Sequence, residues 1–210
     1  YASYSSLNST GIRTIYASVS QNTNLLIVSA LSTHQRHYTI DRFGFADSRQ
    51  GEVISAATNI FSKSWIYTLY QRGGTSILFV PKFQEYFSYT NINAGIGNAY
   101  CGFVLLSNDE AFLSRIEAHV MTNQMGLAAS ELGYFIGTRT SSYNPATDIV
   151  TDARIQTKYP VIPDEYTPFY TMTPLQTSYM KAIAEMRRRD FLHEGLRWFD
   201  IKRFNLVVKY

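Results

Sequence analysis

One cysteine, Cys101, in 210 residues leaves no intrachain disulfide and no multi-cysteine metal site. Its neighbours, Tyr100 and Gly102 to Leu106, are mostly apolar, so a buried small hydrophobe is expected there. No apolar run approaches the ~18 residues of a transmembrane helix, so none is expected, and no signal peptide is expected within these residues. Charged residues are sparse at 17%, and the net charge is only +3. A nucleic-acid binder concentrates more positive charge on one face, so no nucleic-acid partner is expected. Histidines number four: His34 and His37 lie in a polar segment, and His119 and His193 stand alone, which makes no zinc spacing. Phosphate-cradling glycine motifs and the nucleophile-elbow pattern are missing, so nucleotide and serine-hydrolase chemistry lack support and no cofactor is expected.

What is abundant is aromatic surface. Aromatics reach 15%, with 16 tyrosines, and hydrophobic content is 45%, which is globular composition. Tyrosine joins an apolar ring to a polar tip and suits surfaces that meet amphipathic ligands. The densest region runs from Lys63 to Tyr89. Trp65, Tyr67, Tyr70, Tyr86 and Tyr89, with Arg72, Asn91 and Asn93 nearby, supply the rings and polar groups that a sugar needs. Most such rings in any domain are core. Tyr86 and Phe87 diverge on either a strand or a helix, so only part of the set shares one face.

Periodicity gives a coarse map. Residues 12–19 and 52–61 have helical spacing, and 24–30 reads as a short buried strand or extended segment. Residues 90–98 read as a loop. Ser107 and Glu110 form a capping-box pattern ahead of Phe112, Leu113, Ile116 and Val120. Gly126 is expected to turn the chain into a second helix through Leu132 and Ile136, closed by Gly137. Five of the six prolines fall in 138–174, which reads as one long loop. Thr177 is expected to cap a helix running to Met186, which Gly195 ends or bends. The carboxylates Glu117, Asp190 and Glu194 lie close to arginines in sequence. That lowers a carboxyl pKa and disfavours a general acid, so no enzyme activity is expected.

The stretch Met186 to Arg203 weaves charges among Phe191, Leu192, Leu196, Trp198 and Phe199. Such weaving suggests a helix and turn held by ion pairs, with Arg197 or Arg203 paired to a carboxylate under an aromatic ring. It resembles the C-terminal signature of the SusD/RagB family, roughly E-R-R-x-E-L-x-x-E-G-x-R-W-x-D-L-x-R. Arg187, Arg188, Glu194, Gly195, Arg197, Trp198, Asp200 and Arg203 match, and Ile201 stands for Leu. Met186 and Asp190 replace the usual glutamates, and Phe191 the usual Leu. Leu113, Arg115, Glu117 and Ala118 resemble the family segment L-x-R-A-E-A, with Ile116 for Ala.

The resemblance implies a mainly α fold of tetratricopeptide-like helical hairpins with long loops and little β. It also implies one SusD-like region over 1–210, the C-terminal part of a longer protein whose signal and lipobox lie outside this chain. The implied role is non-catalytic capture of nutrient glycans at the cell outer membrane, surface-exposed, with a lipid anchor outside this chain and a SusC-like TonB-dependent transporter as partner. An oligopeptide-binding RagB-like protein and a helical interaction scaffold are the alternatives.

Overall fold

The computed structural model describes residues 27–31, 58–67, 70–71, 78–79 and 85–207. Two compact units emerge within the region: residues 1–46 with 69–108, and 47–68 with 109–210. Five helices outweigh five strands among the described residues, so the fold is mainly α with a small β component.

The first unit holds the strands. β1 (Ile27–Leu31) and β4 (Glu85–Asn91) flank β5 (Ile96–Val104) in an antiparallel sheet. β2 (Tyr70–Gln71) pairs with β3 (Leu78–Phe79) separately. The strand expected over 24–30 is observed from Ile27 as β1, and 24–26 lie outside the described residues. The expected loop at 90–98 is instead a hairpin, in which only 92–95 turn and a register shift follows Tyr89. Asparagines and glycines masked the strand ends, because ladder pairing rather than propensity carries them. Cys101 is fully buried in β5, as its apolar neighbours indicate.

The second unit holds the helices. α1 (Asn108–Met121) begins directly after Ser107, with Asp109 and Glu110 in its first turn facing the positive helix end. Leu113, Ile116 and Val120 form its buried stripe. The turn into α2 (Met125–Gly137) is made by Asn123 at φ 60°, while Gly126 already lies in the helix. Asparagine tolerates that conformation because its short polar side chain bonds locally. Gly137 is the last residue of α2, but Thr138 beyond it stays right-handed. The glycine answers to space: a Cβ there would lie 2.5 Å from Cζ of Tyr143.

The long loop expected over 138–174 contains a helix, α3 (Asp152–Lys158), capped by the Thr151 hydroxyl, which accepts from Arg154 N–H at 3.3 Å. It buries a single residue, Ile155, so no apolar period announced it. α4 (Pro174–Asp190) is capped by Thr173, four residues before the expected Thr177. Thr173 accepts from Gln176 N–H at 3.2 Å, and the Gln176 side chain accepts from Thr173 N–H at 2.8 Å. With Pro174 at the first position this is a complete capping box. Thr177 instead donates to the Thr173 carbonyl. α4 is buried around much of its girth by Tyr179, Met180, Ala182, Ile183, Ala184 and Met186, which makes it the core helix of this unit. It ends at Asp190. Gly195, at φ 78°, is the N-cap of a separate helix, α5 (Leu196–Phe204). The expected helices at 12–19 and 52–57 lie outside the described residues, and 60–61 form a turn.

Two substitutions test this packing by chemical denaturation. Gly137→Ala is expected to destabilise by about 1–3 kcal/mol, because the methyl group overlaps the Tyr143 ring. Gly126→Ala meets nothing within 4 Å and is expected to stabilise by roughly 0.5–1 kcal/mol through helix propensity. Equal effects at the two positions would refute the spatial argument.

Candidate functional site

The arginine-rich tail folds inward. Asp200 is fully buried on α5. Arg187 of α4 donates through Nε to its two oxygens at 3.0 and 3.1 Å, and Arg203 donates through Nε at 3.1 Å. Arg203 also grips Glu117 of α1 with both terminal nitrogens, at 2.6 and 2.8 Å. Two guanidiniums thus meet two carboxylates, with no net charge left in the cluster. The Arg187 and Arg203 guanidiniums lie over the Phe191 and Phe204 rings at 5.3 and 4.4 Å. The covering rings are therefore not Trp198 and Phe199, which are 59% and 63% exposed. Helical geometry explains this: 196, 200 and 204 form the inward stripe, and 198 and 199 fall on the other side.

A second cluster secures residues 58–67 against the end of α2. Trp65 pairs with Thr140, Ile66 N–H donates to the Arg139 carbonyl at 3.0 Å, and Asn59 donates to the Thr140 hydroxyl at 2.8 Å. Tyr67 is thereby set to donate to Asp190 at 2.6 Å, beside Arg139 Nε at 2.7 Å. Burial, then the Asp190 charge, holds the Tyr67 phenol above its ordinary value. Burial also pushes the Asp190 carboxyl upward, against the opposing pull of its Tyr67 bond and Arg139.

The five candidate aromatics separate by environment. Trp65 is only 8% exposed and lies 4.6 Å under the Arg189 guanidinium, a packing position. Tyr67 is half-buried and committed to Asp190. Tyr70 in β2 and Tyr86 in β4 are strand residues whose side chains lie outside what is described, as does Arg72. Tyr89 is 56% exposed. It shares a face of β4 with Phe87, which is also exposed, and the two rings meet edge-on at 4.9 Å. Exposed Asn91 and Asn93 lie beyond, with Asn91 Oδ1 accepting from Ala94 N–H at 3.1 Å. The Phe87–Tyr89 pair is thus an open aromatic surface with amides at its end. Phe87 was discoverable from the period of two, had the strand been drawn through Asn91.

Among the described residues no cluster of three His, Cys, Asp or Glu is arranged to hold a metal ion, and no helix is long and apolar enough to cross a membrane.

Asp148 anchors the 58–67 segment from the other side, accepting from Lys63 Nζ at 2.6 Å and Asn144 N–H at 2.7 Å. The Lys63 bond, then the Asn144 bond, holds its carboxyl below the ordinary value of 3.8. A depressed acid stabilises the fold above its unfolded pKa and loses that contribution as pH falls through the folded one. Asp148→Asn is therefore expected to flatten the fall of the urea midpoint below about pH 4. An unchanged acid profile in the variant would remove Asp148 from this role.

No family model, no curated protein and no solved structure matches this chain.

Proposed function

We infer that this protein is a SusD-like capture protein: it binds nutrient glycan at the outer-membrane surface without converting it and passes it to a SusC-like TonB-dependent transporter. The observation that carries this reading is the Arg203–Glu117 bond. It ties together the two segments that resemble the family, the E-G-x-R-W-x-D tail and the L-x-R-A-E-A-like helix. Those residues make a neutral internal clamp, which is what a family signature is when it encodes a scaffold. On this reading the α1–α2 hairpin is one unit of a tetratricopeptide-like array.

Capture is then the work of open aromatic surface. The apolar C–H face of a pyranose lies on a ring such as Tyr89, and its hydroxyls bond to amides such as Asn93. Glu117 and Asp200 support a non-catalytic role, since each is held by arginine; Asp190 does not follow the lowering expected from its arginine neighbours, because burial raises its carboxyl.

The test is a glycan panel read by calorimetry or affinity electrophoresis. Tyr89→Ala is expected to weaken the best-bound glycan by about tenfold or more, as truncation of an aromatic anchor does. Trp65→Ala should act through stability instead. Failure of every glycan to bind, with a transporter complex still formed, would replace this reading with the scaffold; binding of oligopeptides alone would replace it with the RagB-like one.

A further inference from the structure

A cavity of about 290 Å³ opens in the helical unit. Its walls come from Lys158 at the end of α3, from Lys181, Glu185 and Arg188 along α4, from Glu165, and from Arg197 on α5. That volume is near the small end of the ~300–1,000 Å³ range of small-molecule sites. Four cationic side chains line it against two carboxylates.

The two carboxylates already have partners within the protein. Glu165 accepts from Lys181. Glu185 accepts from the Tyr159 hydroxyl, and from Arg189 at 2.6 Å. Lys158 rests on the Thr58 carbonyl at 2.6 Å. Arg197 differs from all of these. Its Nη1 is buried with no hydrogen-bond partner, and it makes no ion pair among the described residues. Every other arginine of the clamp is bonded to a carboxylate, so Arg197 stands out against its own neighbours. A buried guanidinium nitrogen without an acceptor is costly, and the planar fork matches a carboxylate. The cavity wall also holds Tyr166, whose phenol burial pushes up to about 12 although Arg197 pulls it down. It therefore carries its proton at neutral pH and has a hydrogen to donate to an oxyanion.

We propose that this cavity binds a small organic acid of monosaccharide size, with its carboxylate on the Arg197 fork and Lys158 and Arg188 completing a cationic wall. The site belongs to the helical unit alone and uses neither Phe87 nor Tyr89, so it stands apart from the glycan-capture reading.

Calorimetry on the full chain tests it with three probes: glucuronate, glucose and inorganic phosphate. Glucuronate is expected to bind, glucose is not, and added salt should weaken the complex. Arg197→Gln is expected to cost at least about tenfold in glucuronate affinity, the loss of a charge-assisted bond, while Arg197→Lys restores part of it. Since Arg197 has no carboxylate partner to lose, the unfolding midpoint of the variant should hold. If it falls, Lys158→Gln, on an exposed side chain, carries the same test. Tyr89→Ala should leave glucuronate affinity unchanged, so this proposal and the glycan-capture reading fail separately. The proposal is overturned if the native chain ignores glucuronate, if glucose binds equally well, if phosphate alone binds, or if both charge-removing variants bind glucuronate as the native chain does.

Discussion

The helical unit is organised around one buried carboxylate. Asp200 has no solvent exposure, and taking such a charge out of water costs several kcal/mol unless its oxygens are fully bonded. Here three N–H···O bonds from Arg187 and Arg203 satisfy it. That requirement sets the local geometry. α5 must approach α4 closely enough for a residue thirteen positions earlier to reach Asp200, and the reversal at 191–195 must be tight. Gly195 at φ 78° supplies the backbone turn that an L side chain adopts only under strain. Arg203, one turn beyond Asp200, then extends the cluster to Glu117 and draws α1 in. One neutral set of four charges thus joins the consecutive helices α4 and α5 to α1, which is distant in sequence.

The same principle governs the Tyr67–Asp190–Arg139 cluster with a different balance. Asp190 is met by the Arg139 guanidinium and the Tyr67 phenol where Asp200 is met by two arginines, and burial is strong enough to raise its pKa. Arg139 is shared, because its Nη2 also reaches Asp109 at 3.0 Å while its guanidinium lies 3.6 Å from the Phe135 ring centre. The cluster still fixes the 58–67 segment, since losing Tyr67 would remove a hydrogen-bond donor from a buried carboxylate. This is why two of the five aromatics singled out for ligand contact are explained by arginine: Trp65 floors Arg189, and Tyr67 feeds Asp190.

Legibility followed the range of the interaction that decides each feature. α1 and α2 were readable because Leu113, Ile116 and Val120, then Leu132 and Ile136, repeat at helical spacing, a local signal. The inward tail was readable because charges interleaved with rings have few other low-energy arrangements. α3 was not, since one buried residue makes no period. Thr173, not Thr177, starts α4 because it has the reciprocal bond with Gln176, a contact that residue type alone does not reveal. Gly137 was placed correctly for the wrong reason: the deciding contact, with Tyr143, is tertiary. The exposure of Tyr89 and the burial of Trp65 were equally out of reach, because both sit in the same aromatic-rich stretch and only the fold distinguishes them.

Charge pairing therefore separates scaffold from surface more sharply than residue type does. Arg187, Arg189, Arg203 and Arg139 each reach a carboxylate of the chain, so their desolvation is compensated inside the molecule and they need nothing further. Arg197 lies in the same motif, six residues before Arg203, yet it is not bonded to any carboxylate among the described residues. Pairing it internally would have required a third oxygen-rich side chain on α4 or α5 near Asp200, and both cavity carboxylates are held elsewhere. On the proposal made above, Arg197 is left beside the cavity as a recognition element at the expense of a little stability. That trade is the ordinary signature of a binding site, where the missing partner arrives with the ligand.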